Sequence, residues 1–300
     1  MADPPEQDAT PDEPAAAGQT VELALSEQRG GLPAAPGDLR EFLPGLEPER
    51  HVTDWGRSER VEGLVDRTLY EFLYHYWFRV EVEGIENVPA RGGALLVANH
   101  AGALPPDGAM IAKAIREEHP HPRPIHLTMD HSFKGLPGLG MVVTKIGGVP
   151  AHPANVHRLL FDEQALVLVF PEGRTGTEKP VRDRYRLRRF GRGGFVETAM
   201  RARAPIVPVA VVGAEEAQPV FARLNLLRRL TRLPYVPVTP PLPLPAKFRI
   251  RFLEPVWTAE LGDAPWEEEG LVQTLGQDIR ALIQENLLEM VAARRSVWLG

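Results

Sequence analysis

Short apolar segments that alternate with amphipathic segments are the feature that most constrains how this chain can fold. Six runs rich in aliphatic and β-branched residues lie at 79–84, 94–98, 124–129, 165–170, 205–212 and 247–253. Several of them are almost continuously apolar, as is typical of strands buried on both faces. Apolar residues recur at helical spacing between these runs, at 60–78, 107–118, 154–163, 193–203 and 267–296. Strands that alternate with helices predict an α/β fold with a largely parallel central sheet flanked by helices.

The first 50 residues differ in composition from the rest of the chain. They contain 11 Asp or Glu residues, three Arg residues and eight prolines, with few large apolar side chains. Such a segment cannot bury enough apolar surface to offset the entropy lost on ordering. We therefore predict a disordered, acidic, proline-rich tail over 1–58 and one folded domain over 59–300. The tail lacks the basic start and apolar core of a signal peptide, and no apolar run reaches the length of a membrane-spanning helix.

Composition also excludes several classes of site. The chain has no cysteine, which rules out disulfides, zinc–thiolate sites, iron–sulfur clusters and a cysteine nucleophile. A formal net charge of -6 argues against a nucleic-acid partner held by bulk positive charge. The spacing of four neighbouring histidines matches no metal-ligand pattern, so no metal site is predicted. These histidines are His119, His121, His126 and His131.

Two predicted strands end in residues that suit proton transfer. Asn99 and His100 directly follow the run at 94–98, and Asp107 opens the next helix. Glu172 similarly follows the run at 165–170. A histidine beside a carboxylate can take a proton from a hydroxyl group, because the carboxylate orients and stabilises the imidazole. The chain lacks a G-x-S-x-G elbow and a Walker loop, so direct transfer to a hydroxyl is favoured over a covalent intermediate.

These residues and their order resemble the glycerolipid acyltransferases, which include 1-acylglycerol-3-phosphate and lysophospholipid acyltransferases. The first family signature, Asn-His with a spaced Asp, is matched by Asn99, His100 and Asp107. The Phe-Pro-Glu-Gly signature is matched at 170–173, and the apolar strand built around a proline is matched at 205–208. The order and separations fit over roughly 80–255. The resemblance implies the α/β fold of that family for the domain at 59–300.

The sequence departs from the usual family pattern at two signatures. Six residues, rather than four, separate His100 from Asp107, and they end in Pro105-Pro106. That spacing is more similar to the branch that includes diacylglycerol-acyltransferase-like proteins. The second signature usually supplies an arginine for the acceptor phosphate, but residues 150–152 read Pro-Ala-His here. The sequence therefore predicts weak discrimination in favour of a phosphate-bearing acceptor.

The resemblance implies an O-acyltransferase of lipid metabolism and phospholipid biosynthesis. It would move a fatty acyl group from acyl-CoA, or an acyl carrier protein, to a hydroxyl of a lysophospholipid or other glycerolipid. His100 is expected to act as the general base and Asp107 to orient it. No cofactor is expected beyond the acyl donor, which is a co-substrate. The residues expected to bind substrate are Asn99, Glu172, Gly173 and Arg174.

Two alternatives remain open at this point. The chain could be an acyl-ester or thioester hydrolase, in which water replaces the acceptor alcohol. It could also be a non-catalytic lipid-binding protein on the same fold.

Two segments suggest contact with an anionic membrane surface. The predicted helix at 60–78 ends in aromatic residues of the kind found at membrane interfaces, and the segment at 182–192 contains six arginines. The arginine run is either a solvated loop or a basic lip for lipid headgroups or the phosphates of coenzyme A. We expect a cytoplasmic protein that associates peripherally with the membrane. The aromatic residues are Tyr70, Tyr74, Tyr76, Trp77 and Phe78.

Overall fold

A seven-stranded sheet forms the centre of the folded domain. The structure is a computed structural model, and it describes residues 52–102, 106–130, 138–223 and 237–300. The strands of the sheet lie in the order β1-β9-β6-β2-β5-β3-β4, and β7 and β8 form a separate ribbon. Their bounds are β1 Glu81–Glu83, β2 Ala94–Ala98, β3 Ile125–Met129, β4 Gly148–Pro150, β5 Leu166–Val169, β6 Ile206–Val212, β7 Ala222–Arg223, β8 Pro237–Val238 and β9 Arg249–Phe252.

The pairing confirms the predicted largely parallel sheet. Strand β2 lies between β5 and β6 and is parallel to both, and β3 is parallel to β4 and β5. Strand β9 runs antiparallel to β6, and β1 is parallel to β9. Antiparallel neighbours need no crossover helix. This agrees with the proline-rich segment at 237–245, which leads into β9 without forming a helix. The carboxyl ends of β2, β5 and β6 therefore meet at one edge of the sheet.

The helices also follow the predicted pattern. The segment predicted as one helix at 60–78 contains an α-helix, Glu59–Val65, and two π-helical stretches, Asp66–Tyr70 and Phe72–Trp77. We call this segment the aromatic helix (residues 59–77). The other α-helices are labelled α1 Asp107–Glu118, α2 Leu139–Lys145, α3 Pro153–Phe161, α4 Arg174–Thr177, α5 Gly194–Arg201, α6 Ala214–Ala217 and α7 Glu269–Ala293. Helices α2, α4 and α6 and strands β4, β7 and β8 were not predicted, since all of them are short.

Alternate side chains of the central strands build two cores on opposite faces of the sheet. On the first face, Leu96 of β2 packs in the cluster that contains the aromatic helix and α1. On the second face, Leu95 of β2 packs in the cluster that contains α3, α5 and α7. All five residues of β2 are buried, because the strand is covered on both sides. The end of β2 therefore fixes the position of Asn99 and His100, which follow it.

The packed part of the chain begins before residue 59. The guanidinium of Arg57 is buried, pairs with Glu62 at 2.5 Å and donates to the backbone oxygen of Ile125 at 3.2 Å. Arg57, which the sequence assigned to the tail, therefore contacts the aromatic helix and β3. The remainder of the predicted tail lies outside the described residues. Among the described helices, none combines the length and the apolar character needed to cross a lipid bilayer.

Candidate active site

His100 and Asp107 form a hydrogen-bonded pair at the carboxyl end of β2. The Nδ1 atom of His100 lies 3.0 Å from Oδ2 of Asp107. The imidazole is 18% exposed, whereas the Asp107 side chain is 1% exposed. The ring also stacks on Phe170 at the end of β5, with 4.1 Å between ring centroids. With Nδ1 bound to the carboxylate, Nε2 is the nitrogen left to meet a ligand.

Asp107 is fixed by its position at the start of α1. Its Oδ2 accepts a hydrogen bond from the amide of Ala101 at 3.3 Å, and its Oδ1 accepts one from the amide of Gly108 at 2.7 Å. A helix N-terminus favours a negative charge because the amides of the first turn point outward. The pair therefore forms across six intervening residues, the spacing that departs from the usual signature. Residues 103–105 of that loop lie outside the described residues.

The side chain of Asn99 bonds to the neighbouring strand β6 and does not face His100. Its side-chain Nδ2 donates to the backbone oxygen of Val211 at 3.0 Å, and its Oδ1 accepts from the Val211 amide at 2.8 Å. Both ends of the carboxamide are thus used by β6, and the residue is 1% exposed. The structure therefore places the Asn99 carboxamide, which was expected to bind substrate, in hydrogen bonds with the backbone of Val211 inside the sheet.

Glu172 holds two loops together from a buried position. Its Oε1 accepts from the amide of His100 at 3.2 Å, and its Oε2 accepts from the amide of Arg188 at 2.6 Å. Its side chain has no exposed surface. The structure therefore places Glu172, which was expected to help bind substrate, in hydrogen bonds with the backbone amides of His100 and Arg188. The same carboxylate ties the arginine-rich segment to the end of β2.

Lys179 and Glu215 complete this buried cluster, and sequence reasoning missed both. The Nζ atom of Lys179 lies 3.3 Å from Glu172 and 2.9 Å from Glu215. Glu215 in turn accepts the amide of Tyr185 at 2.8 Å. Burial raises the pKa of Glu215, and Lys179 opposes that effect. Nothing in the sequence near Lys179 indicates this role, because its two partners lie on other segments.

Gly173 and Arg174 remain at the surface of the loop that follows β5. Gly173 has φ +51, and the space beside its Cα is open. The Arg174 side chain is exposed and pairs with Glu178 at 3.1 Å. A glycine in this conformation lets the backbone approach a ligand closely. Of the four residues expected to bind substrate, these two lie where a ligand could reach them.

Gly176 packs directly against the backbone of His100. A Cβ atom at this position would lie 2.6 Å from the backbone oxygen of His100 and 3.0 Å from the Cβ of Glu172. Only glycine fits this contact without displacing the loop that carries His100. The second-signature segment lies elsewhere: Pro150 ends the edge strand β4, and the ring of His152 caps α3 by accepting the amide of Ala154.

One group of possible metal ligands occurs among the described residues, away from this site. It consists of Glu71, His75 and Glu117. The Nζ atom of Lys113 lies 2.8 Å from Glu71 and 3.0 Å from Glu117. The lysine ammonium therefore already pairs with both carboxylates.

Comparisons with known proteins agree with the geometry. A family model described as acyltransferase matches residues 79–212, a span that contains His100, Asp107 and Glu172. The uncharacterized protein ML2427 of Mycobacterium leprae is 41% identical over 290 residues, covering 94% of this chain and 78% of that protein. The DGAT1/2-independent enzyme synthesizing storage lipids of Gallus gallus is 31% identical over 186 residues, covering 60% of this chain and 53% of that protein.

A solved structure shares the fold. The 1-acyl-sn-glycerophosphate acyltransferase PlsC of Thermotoga maritima superposes with a TM-score of 0.52 at 20% identity, covering 86% of this chain and 88% of that chain. The α/β architecture with a mostly parallel sheet is therefore shared with that acyltransferase. The family match and the related sequences confirm the resemblance seen in the motifs. The chain belongs to the acyltransferase family, and the protein is an acyltransferase.

Proposed function

We propose that the protein transfers a fatty acyl group from an acyl thioester, acyl-CoA or an acyl carrier protein, to a hydroxyl of a lysophospholipid or other glycerolipid. The observation that carries this proposal is the His100–Asp107 pair, 3.0 Å apart, with the histidine accessible and the carboxylate buried. A positioned histidine of this kind can activate a hydroxyl without forming an acyl-enzyme.

In the proposed step, Nε2 of His100 accepts the proton of the acceptor hydroxyl as its oxygen attacks the thioester carbonyl. The tetrahedral intermediate collapses and the carbon–sulfur bond breaks. The leaving thiolate then takes the proton from His100 and becomes a thiol. The products are an ester and a free thiol, so atoms and charge balance without a redox reagent. Asp107 holds the imidazole with its proton on Nδ1 and stabilises the imidazolium that forms.

The oxygen of the intermediate needs hydrogen-bond donors that are already in place. The amides of His100 and Ala101 donate to Glu172 and Asp107, so they do not serve this purpose. We assign the role to the amides of Arg174 and Thr175 in the exposed loop that follows β5, because the Gly173 amide already donates to the backbone oxygen of Phe170 at 2.8 Å. Arg174 is proposed to contact the acceptor from this loop.

The acceptor is proposed to be recognised without a strong requirement for a phosphate. The segment at 150–152 supplies no arginine, and Pro150 lies on β4, which β3 and β5 separate from β2. The related Gallus gallus protein is described as synthesizing storage lipids, which supports a neutral glycerolipid acceptor. Lysophosphatidate should therefore not exceed a monoacylglycerol by a large factor as acceptor.

Peripheral attachment to a membrane is proposed through the aromatic helix. Leu69, Phe72 and Tyr76 recur on one side of it and are 53%, 49% and 70% exposed. Tyr74 and Phe78 are buried in the first core, so the expectation that they contact lipid is corrected. We place the protein on the cytoplasmic surface of a membrane that supplies its lipid acceptor.

Labelled acyl-CoA offered with a panel of lysophospholipids, monoacylglycerols and diacylglycerols tests the proposal. Transfer of label to one of these hydroxyls is expected. Release of free fatty acid at the same rate with and without acceptor would instead indicate a hydrolase. Binding of lipid without transfer or hydrolysis would indicate a non-catalytic lipid-binding protein.

A further inference from the structure

A cavity of about 260 Å³ lies on the second face of the sheet. One wall is the loop at 189–193, which leads into α5, and the other wall is the first half of α7. Three arginines and two glutamines line it together with glycine backbone. The polar lining residues are Arg189, Arg192, Arg280, Gln273 and Gln277.

The charge of this cavity is not neutralised within the part of the chain that the structure describes. No carboxylate there pairs with Arg189, Arg192 or Arg280, in contrast to neighbouring Arg188, which pairs with Asp183 at 2.8 Å. Arg280 is held in place because it donates to the backbone oxygens of Leu187 and Arg188 at 2.8 and 2.9 Å. A guanidinium has five N–H donors, so Arg280 retains donors for a ligand.

The cavity is linked to the active site through Arg188 and Glu172. The amide of Arg188, the residue before Arg189, donates to Glu172, and Glu172 also accepts the amide of His100. A ligand in the cavity therefore binds within a short chain of contacts from the catalytic histidine. The exposed side chains of the aromatic helix belong to the opposite face, since that helix packs on the first core.

We propose that this cavity binds the phosphate-bearing nucleotide end of coenzyme A, the acyl donor. The inference rests on the proposed function for the identity of the donor. Coenzyme A carries a diphosphate and a 3′-phosphate, and arginine forks match phosphate oxygens in pairs. The carboxamides of Gln273 and Gln277 can form hydrogen bonds with adenine, whose N6 amino group donates and whose N7 accepts. The cavity is too small for the whole molecule, which leaves the pantetheine arm to extend toward His100.

The separation of the two surfaces favours coenzyme A over a lipid headgroup as the occupant. A lipid acceptor approaches from a bilayer that meets the apolar side chains of the aromatic helix on the first face. The arginine cavity opens on the second face, beside α5 and α7. A water-soluble, polyanionic donor can reach that face without leaving solvent.

Calorimetric titration of the full-length protein with coenzyme A, 3′-dephospho-coenzyme A and pantetheine tests the inference. The variant Arg189→Gln/Arg192→Gln should weaken coenzyme A binding by roughly 10- to 100-fold, because charged hydrogen bonds to phosphate are lost. It should leave pantetheine binding unchanged. Gln277→Glu, which places a negative charge in the cavity on an exposed helix position, should also weaken coenzyme A binding.

The matched control is Arg182→Gln/Arg184→Gln, which removes two exposed arginines of the same segment from outside the cavity. It should bind coenzyme A as the wild type does. Equal losses in the control and the cavity variant would overturn the inference, because they would indicate a general charge effect. So would unchanged coenzyme A binding in the cavity variant.

Two further outcomes separate this inference from the proposed function. If the cavity variant loses binding to phosphatidate vesicles but keeps coenzyme A binding, the cavity is a lipid headgroup site and the inference is wrong. If coenzyme A binding depends on Arg189 and Arg192 while no lipid acceptor is acylated, the inference stands and the proposed acceptor is wrong.

Discussion

Lys179 is a buried residue that contacts Glu172, the carboxylate that accepts the backbone amide of His100, our proposed general base. Its ammonium lies between the carboxylates of Glu172 and Glu215, and its side chain is almost fully buried. Lys179→Met would leave both carboxylates without their counter-ion. We expect a loss of about 3–5 kcal/mol in the free energy of unfolding, the usual result of breaking a buried ion pair.

Denaturant unfolding measures this loss, and Lys247→Met is the matched control. Lys247 pairs with Glu81, which also pairs with Arg249 and is partly exposed. The control should cost less than about 1 kcal/mol. Equal costs for the two variants would show that the buried cluster does not hold the site.

His126 is expected to make stability depend on pH. Burial lowers its pKa to about 4, with a smaller contribution from Arg57, and its Nδ1 has no hydrogen-bond partner among the described residues. Between pH 6.5 and about 4 the unfolded chain binds more protons at this residue than the folded chain. Stability therefore falls as the pH is lowered through that range, by up to roughly 3 kcal/mol.

Unfolding free energies measured at pH 7 and pH 4.5 test this expectation. His126→Leu should reduce the difference between the two pH values, since the titrating group is gone. His121→Gln, at an exposed position, should leave the difference unchanged. A His126→Leu protein with the same pH dependence as the wild type would contradict the assignment.

At the residue scale, the sequence could predict the His100–Asp107 pair but not the roles of Asn99 and Glu172. The pair is local, since both residues lie on one strand–loop–helix unit. Asn99 is buried because Val211 on β6 lies beside it. Glu172 is buried because the backbone of Arg188 contacts it. Such partners depend on tertiary packing, which no local pattern reports.

At the element scale, the four-residue helix α4 packs against the loop that carries His100. Its Gly176 leaves no room for a Cβ atom against the backbone of His100. Gly176→Ala should displace the imidazole and lower acyl transfer by about 100-fold, as small misplacements of catalytic groups do. Gly194→Ala, where the added atom meets nothing within 4 Å, is the control for kinetic measurements. Full activity in Gly176→Ala would show that this contact does not set the position of His100.

The aromatic helix is the element expected to bind membranes. Phe72→Ser/Tyr76→Ser removes exposed aromatic side chains and should weaken sedimentation with lipid vesicles, because less apolar surface enters the interface. Leu288→Ser is the matched control, since Leu288 is similarly exposed but lies on α7, a helix of the opposite face. Equal vesicle binding by the wild type and the double variant would contradict this surface assignment.

Most elements were predictable from apolar patterning, and the exceptions have physical reasons. Strand β2 and helix α1 occur at the predicted residues, because long apolar or periodic runs determine them. Strand β4 has three residues, too few for a pattern to emerge. The antiparallel direction of β9 depends on its pairing with β6, and direction is not encoded in strand composition.

At the scale of the whole molecule, the sheet separates two surfaces that the sequence suggested could act together on one membrane. The aromatic helix packs on the first face through its buried residues, and the arginine cavity opens on the second. Between them, the carboxyl ends of β2 and β5 present His100 and the loop at 173–175. With the function proposed above, we expect a lipid acceptor and a polyanionic donor to approach this edge of the sheet from two sides.

The rate of acyl transfer by His100→Ala tests the central claim most directly. With the acceptor that the wild type uses best, the account predicts a rate lower by about 10²–10⁴-fold, because the general base is lost. Binding of coenzyme A should survive, since the cavity proposed for it does not include His100. Transfer by His100→Ala at the wild-type rate, in protein that binds coenzyme A normally, would contradict the assignment of His100 as the general base.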